Sequence, residues 1–520
     1  MKLTDVARQL GVQYTGSTDP VITEISHDSR RCLPGSLFAA IVGERCDGHR
    51  FIDQALERGA VAVMSERPRP SGFSHPWLRV ADVRLALALA AAAIFGHPSR
   101  RLTLIGVTGT NGKTTTVTLI EAILRAAGFH SASMGTIRYR LGETEIPAER
   151  TTPEAPDIQR FLARACAQGV THAVMEVSSH ALDLRRVDGT EFAIAVFTNL
   201  TPEHLDYHRT MDAYFAAKRR LFEGVNAPPP WGVVINADDP RADELLTLAL
   251  ERSSRALTYG FHAHADVRAQ YFAASLDGLT FVAHTPIGDL PLQSPLVGKP
   301  HVYNILAAIA VGLLLDVDAE PIVAGIQRCP TVAGRFEVVD EGQDFAVVVD
   351  YAHTHDALQN AIETARVLTP YRIITLFGCG GDRDLSKRAP MGEVAARLSD
   401  LVIVTSDNPR SEDPEAIISH IEVGLRKGGA PYLKIPDRKQ AIWRAIEEAR
   451  SGDLVLIAGK GHETYQILKE GVIPFDDREV ARAAIRARLA GSRSASLGAE
   501  AGPSAEATSR STLKEVELNV

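Results

Sequence analysis

A chain of 520 residues is too long for one compact core, so two to four domains are expected. Its 45% hydrophobic and 23% charged content is that of a globular protein, and a net charge of −8 without any long Lys/Arg block speaks against a nucleic-acid partner. The five cysteines are scattered without CxxC spacing and the N-terminus has no apolar signal core, which points to reduced thiols in the cytoplasm and not to a disulfide framework or zinc knuckle.

Residues 1–100 mix short strands and helices, with a loop at Arg67-Pro68-Arg69-Pro70. The apolar runs Leu85–Phe95 and Ile305–Leu315 fall short of the roughly 20 residues that cross a bilayer, so both are expected as buried helices and no membrane insertion is expected. A second segment, 101–333, opens on the strand RLTLIGV. That strand runs into Gly106-Val-Thr-Gly109-Thr110-Asn111-Gly112-Lys113-Thr114-Thr115, followed by the helical pattern VTLIEAILRAA. Strand, glycine-rich turn and helix make a phosphate-binding loop: backbone N–H groups close around phosphate oxygens and the helix dipole favours the anion. Lys113 would reach the terminal phosphates and Thr114 would offer a hydroxyl to Mg²⁺. In the strict spacing the first glycine would fall at Val107, so this is a variant loop. By itself it leaves kinase, ATPase, GTPase and ligase open.

Three further strands in this segment end in polar groups. HAVMEV ends at Glu176 and is followed by Ser178 and His180; FAIAVFTNL leads into Glu203, His204, Asp206 and His208; WGVVINADDP ends in Asn236, Asp238 and Asp239. Parallel α/β sheets bind ligands at the carboxyl ends of their strands, and a carboxylate there suits Mg²⁺. Lys218, within the helical MDAYFAAKRRLF, reads as a solvated charge on spacing alone. From 334 to 490 the strands FAVVVDY, YRIITLF, LVIVTS and DLVLIAG alternate with helical stretches, which predicts βαβ units and a mainly parallel, Rossmann-like sheet. Residues 491–520 turn to Ser, Ala, Gly, Glu and Thr and read as a disordered tail.

The ordered set GTNGKTT, MEVSSH, TNLTPEHLDYH, INADDP, GKPHVYNILAAIAV, GRFEVV, VVDYAHTHDAL, FGCGGDRDLSKR, TSDNPR and IAGKGHETYQ resembles the Mur ligases over roughly residues 20–490. The resemblance implies an α/β protein of three domains: an N-terminal domain for a UDP-sugar, a central P-loop-type ATP domain and a C-terminal Rossmann-like domain for an incoming amino acid. It implies a monomeric, cytoplasmic ligase acting on small-molecule substrates, with ATP and Mg²⁺, through an acyl phosphate. Carried over residue by residue, Gly109 to Thr115 cradle ATP, with Asn304, Arg335, Asp350 and His353 near the nucleotide. Lys113, Glu176, Lys218 and His204 are the catalytic set, and Asp206 helps order it. Thr114, Glu176 and a carbamylated Lys218 hold the metal. Ser29, Glu44, Arg45, Cys46, Thr151, Thr152, Ser178 and Arg186 grip the UDP-sugar peptide. Arg383, Asp407, Asn408, Pro409, Arg410, Gly459 and Glu463 take the amino acid, and the DNPR form implies diaminopimelate. The sister activities, adding lysine, a dipeptide or glutamate to folate, are the alternatives, as is an inactive nucleotide-binding paralogue. Leu184, where many members carry Gln, and Leu385-Ser386 depart from the family pattern.

Overall fold

The computed structural model describes residues 1–43 and 46–497. Three mixed α/β units follow one another, each built on its own sheet. The first sheet has five strands, in the order Tyr14–Thr15, Trp77–Arg79, Ala60–Ser65, Ser36–Ala39 and Glu24–Ser26. Its apolar face is covered by Leu3–Gln9 and by the alanine-rich helix Val83–Ile94, whose small side chains let it lie close to the strands. Asp82 caps that helix by accepting from the N–H groups of Arg84 and Leu85.

The second sheet has eleven strands. At its centre Thr103–Thr108 lies between His172–Glu176 and Ile194–Phe197, parallel to both, and Gly232–Asn236 and Arg255–Gly260 continue the parallel run. All five therefore present their carboxyl ends along one edge. All of them but Arg255–Gly260 are buried on both faces, which is why those four read as nearly unbroken apolar runs. Lys113–Ala126 and Lys299–Leu314 pack on one face, and Ala155–Ala167 and Ala242–Glu251 on the other. Antiparallel wings extend both ends, Arg138–Leu141 with Thr144–Pro147 on one side and Val267–Ser275, Gly278–Thr285 and Gly288–Ser294 on the other.

In the third sheet the parallel order is Ala346–Asp350, Leu454–Ala458, Ile373–Phe377, Leu401–Val404 and Tyr432–Lys434, with Glu337–Val338 antiparallel at the edge. A hairpin, Tyr465–Leu468 with Gly471–Pro474, follows. The last helix spans Asp477–Leu497, so residues 491–497 belong to a helix and not to the structureless tail expected from their composition. The apolar spacing of Val480, Ala481, Ala484 and Ile485 seats it on the sheet, and its later residues extend a helix already begun. The rest of that tail lies outside the described residues. No helix among those described is long and apolar enough to cross a membrane.

Candidate active site

The phosphate loop forms where the sequence places it. Gly109 has φ +147° and Gly112 φ +87°, conformations that favour glycine. A Cβ at Gly109 would run into Thr198 Oγ1, and one at Gly112 into Asn304 Oδ1. The neighbouring strand end holds the loop: Thr198 Oγ1 donates to Asn111 O at 2.6 Å and Asn199 Oδ1 accepts from Asn111 N at 2.9 Å. Thr110 N donates to Asn199 O at 2.8 Å, and Asn236 Nδ2 ties in the next strand through Thr198 O at 2.7 Å. Thr114 and Thr115 are buried in the first turn of the helix.

Lys113 Nζ donates to Gly109 O at 2.9 Å and to Thr110 O at 2.7 Å. Lys218 is buried, not solvated; its Nζ donates to the same Gly109 O at 2.7 Å and lies 4.3 Å from the centre of the Tyr214 ring. Burial, with the Lys113 charge beside it, pushes the Lys218 ammonium well below the usual lysine range. Burial also lowers Lys113, against the attraction of Glu203 and Glu176.

Glu176 is 1% exposed, and its carboxylate accepts from Thr136 N at 2.7 Å and Thr136 Oγ1 at 3.0 Å. Glu203, which the sequence names in the strand-end cluster while giving the catalytic role to its neighbour His204, is the second inward carboxylate. Its Oε1 meets His353 Nε2 at 3.0 Å and its Oε2 lies 3.8 Å from His204 Nε2. Burial disfavours its charge, but the His353 hydrogen bond and the charges of His204, His353 and Lys113 outweigh burial and hold the carboxyl far below its usual range. His204 has φ +56° and packs edge-on against His180 at 4.6 Å. Burial takes its pKa down to about 3 against the attraction of Glu203. Asp206 is exposed on the one-turn helix Leu205–His208. Strand-end position places Glu203 in that cluster, since 198–203 continues directly from Ile194–Phe197, but its contact with His353 forms only when the third unit meets the second.

Thr151, Thr152, Ser178 and Arg186 gather beside Glu176. Thr152 Oγ1 donates to Glu176 O at 2.8 Å and accepts from Ser178 N at 3.0 Å. Arg186 Nη1 donates to Thr152 O at 3.2 Å, and Thr151 Oγ1 lies 3.1 Å from Thr136 Oγ1. Ser29 and Cys46 sit in the first unit instead. Ser29 Oγ donates to Gln54 Oε1 at 2.6 Å, and Cys46 is exposed. Glu44 and Arg45 lie outside the described residues. Ion pairs Arg31–Asp157 at 2.6 Å and Arg160–Glu24 at 2.8 Å join the first unit to the second.

The third unit turns its strand ends toward the phosphate loop. Asn304 accepts from Thr116 Oγ1 at 3.3 Å, and Arg335 Nη2 donates to Thr114 Oγ1 at 3.3 Å while its guanidinium lies over the Tyr351 ring at 4.4 Å. Asp350 accepts from Phe336 N at 2.7 Å and Ala352 N at 2.8 Å, so it shapes the chain around Arg335 and His353. Along the same edge Asp407 and Asn408 are buried, and Asn408 Nδ2 donates to Glu463 Oε2 at 2.9 Å. Lys460, also missed in the sequence, is fully buried and donates to Asn408 Oδ1 at 3.1 Å and Glu463 Oε2 at 2.8 Å. Gly459 has φ +117°, and a Cβ there would lie 2.7 Å from Asp407 Oδ2.

Arg410, after Pro409, has φ +54° and donates through Nη1 to Gly381 O at 2.8 Å. Burial lowers its pKa, and the charge of Arg383 adds to that. Arg383 itself is exposed in the loop that follows the adjacent strand Ile373–Phe377. Behind them Arg388, with no exposed surface, joins both loops by donating to Glu412 at 2.9 Å and to Gly380 O at 3.2 Å.

A glycine-rich strand-to-helix loop, faced on one side by the Thr152–Ser178–Arg186 cluster and on the other by a charged strand-end pocket, goes with the domains of an ATP-dependent ligase. The chain belongs to the Mur ligase family: residues 21–96 match the Mur ligase catalytic domain, 107–312 the middle domain, and 334–461 the glutamate ligase domain. It is 51% identical to the UDP-N-acetylmuramoyl-L-alanyl-D-glutamate–2,6-diaminopimelate ligase of Solibacter usitatus, over 89% of this chain and 94% of that one. The protein of the same name from Syntrophomonas wolfei is 47% identical over 94% of this chain and all of its own length, 100%. A solved structure of such a ligase matches with TM-score 0.65 and 33% identity, covering 93% of this chain and 99% of the other. A MurF ligase from Thermotoga maritima in complex with ADP shares the fold at TM-score 0.62 and 19% identity, covering 90% and 98%.

Proposed function

We propose that the chain is a cytoplasmic, monomeric ligase that joins meso-2,6-diaminopimelate to UDP-N-acetylmuramoyl-L-alanyl-D-glutamate at the expense of ATP, in peptidoglycan synthesis. The observation that carries the choice of amino acid is the convergence of Arg383 and Arg410, from the loops that follow two adjacent strands, on Gly380, beside the Asn408–Lys460–Glu463 network. Diaminopimelate differs from lysine by one carboxylate at its far end. A guanidinium fork is the side chain best shaped to hold that group, and Glu463 suits the neighbouring ammonium.

The chemistry follows from the leaving group. A carboxylate cannot acylate an amine directly, because oxide would have to depart. The D-glutamyl side-chain oxygen therefore attacks the γ-phosphorus of ATP, and the bond to ADP breaks. The amine nitrogen then attacks the acyl carbon, the C–O bond to phosphate breaks, and the ammonium proton is released. The loop Gly109 to Thr115 cradles the phosphates through Lys113 and the N–H groups of Gly112 to Thr115, those of Thr110 and Asn111 being taken by Asn199, while Asn304, Arg335, Asp350 and His353 frame the nucleotide. Thr151, Thr152, Ser178 and Arg186 hold the peptide end, and Ser29 and Cys46 belong to the uridine side.

The donor set fits Mg²⁺, which takes hard oxygens from one or two carboxylates plus substrate phosphates. Thr114, Glu176 and a carbamylated Lys218 would hold it, and Glu203 is a further ionised oxygen donor nearby. Once bound, the ion neutralises phosphate charge. The lowered pKa of Lys218 supports the carbamate: the neutral amine adds CO₂ and releases a proton, turning a cation that would repel the metal into an anion.

The test is an amino-acid panel with ATP and the UDP-sugar dipeptide, read as phosphate release, in wild type and Arg410→Ala. Wild type is expected to prefer diaminopimelate over lysine by about three powers of ten, since lysine leaves the half-buried Arg410 guanidinium without a carboxylate partner. Arg410→Ala should lose most of that preference. Equal use of both amino acids by wild type overturns the assignment.

A further inference from the structure

Behind the amino-acid pocket lies an ion pair that touches none of the pocket's cavity. Arg438 opens the helix Arg438–Glu448 and Asp477 opens the last helix; both side chains have no exposed surface. The pair is bidentate, with Arg438 Nε 2.8 Å from Asp477 Oδ1 and Nη2 2.7 Å from Oδ2. The same guanidinium also donates to two backbone carbonyls, Nη1 to Ser406 O at 3.2 Å and Nη2 to Ala458 O at 3.0 Å.

Those two carbonyls belong to the residues immediately before Asp407 and Gly459. Ala458 ends the strand Leu454–Ala458 and Ser406 lies two residues past Leu401–Val404; the two strands are not neighbours, since Ile373–Phe377 lies between them. Strands two apart are separated by about 10 Å, and no ladder hydrogen bond joins them. Past Phe377 the chain leaves through Gly378, where a Cβ would strike Thr405 O. Arg438 thus spans from one strand end to the other, behind the two turns that carry Asp407 to Arg410 and Gly459 to Glu463. Burial works against its charge, while Asp477, and after it Asp407 and Glu463, favour it.

A buried ion pair is weak evidence for stability, because apolar residues of similar volume often serve as well. What apolar residues cannot do is bond to the two carbonyls. We propose that Arg438, oriented by Asp477, is a positioning residue that sets the spacing of the two turns and so the affinity and selectivity for the amino acid's charged far end. This rests on the amino-acid reading given above.

The experiment compares wild type, Arg438→Lys and the apolar double variant Arg438→Met with Asp477→Leu, varying each substrate in turn and recording melting curves. The double variant removes the buried charges together but also the donor to two carbonyls, so it is expected to melt only modestly lower than wild type. Its KM for diaminopimelate should rise about tenfold or more, and its preference over lysine should narrow by a similar factor. The KM for ATP and the saturating kcat should stay near wild type. Arg438→Lys keeps the charge but not the fork and should fall between the two. Unchanged amino-acid KM and preference in both variants overturn the proposal. So does a rise of all three KM values together with a fall in melting temperature, which would mark a merely structural pair. Arg410→Ala is run alongside: if it leaves the amino-acid KM unchanged, the pocket itself is misassigned, whatever the Arg438 variants do.

Discussion

Lys113 and Lys218 both donate to the carbonyl of Gly109, and two ammonium groups on one buried oxygen cannot both keep their protons easily. Lys218, wholly enclosed, is the one pushed furthest down. Its reactivity is thus set by its surroundings and not by its residue type. Lys218→Ala should lose ligase activity by about two powers of ten or more, with partial recovery on adding a short carboxylic acid that supplies the missing anion. Full activity without the acid would show that no carbamate is needed. His462 carries a second consequence of burial. Its ring lies 5.0 Å from that of Tyr351, and burial, with Arg335, Arg478 and Lys460 nearby, lowers its pKa from 6.5 to about 3. The unfolded chain therefore binds a proton below 6.5 that the folded chain refuses down to about 3. The stability tied to this residue is complete above that upper value and shrinks as pH falls through the window. Melting curves between about pH 7 and pH 4.5 should show a smaller loss for His462→Gln than for wild type. An equal loss in both would contradict the assignment.

At the scale of elements, the parallel strands and their helices were legible because burial on both faces writes unbroken apolar runs, as in Ile194–Phe197 and Leu454–Ala458. The phosphate loop was legible because its glycines serve backbone geometry that few other residues allow. The antiparallel wings were not. Gly278–Thr285 alternates buried and partly exposed positions and contains no long apolar run to announce it. Lys460 was invisible for a different reason: its partners Asn408 and Glu463 meet it only after two strand ends come together, and a lysine in a sequence defaults to solvent. Lys218 needed the family resemblance for the same reason. The loop also offers a direct test of its construction. In Gly109→Ala the new methyl group would displace Thr198, whose hydroxyl holds Asn111 O at 2.6 Å. This variant should lose about 1–3 kcal/mol of stability in a denaturant titration and raise the KM for ATP about tenfold. A variant with unchanged KM for ATP would show that the loop does not bind phosphate.

Across the whole molecule, the central and third units meet at the phosphate loop itself. Asn111 Nδ2 donates to Asp356 Oδ2 at 3.3 Å, Arg335 reaches Thr114 at 3.3 Å, and Glu203 meets His353 at 3.0 Å. Lys387 Nζ, from the loop after Arg383, donates to the carbonyl of that same His353 at 2.9 Å. A short chain of contacts therefore runs from the glycine-rich loop to the loop that carries Arg383, the proposed edge of the amino-acid pocket. Thermodynamics then demands reciprocity: whatever factor a bound nucleotide contributes to amino-acid affinity, the amino acid must return to the nucleotide. Calorimetry with a non-hydrolysable ATP analogue and diaminopimelate, titrated in either order, should give one coupling energy of about 1–3 kcal/mol, reduced in His353→Ala. Independent binding in wild type would show that the contacts carry no signal. If the coupling holds, the enzyme discriminates cooperatively: a wrong amino acid binds poorly and also leaves ATP loosely held, so a single arginine's choice is heard by the phosphates one domain away.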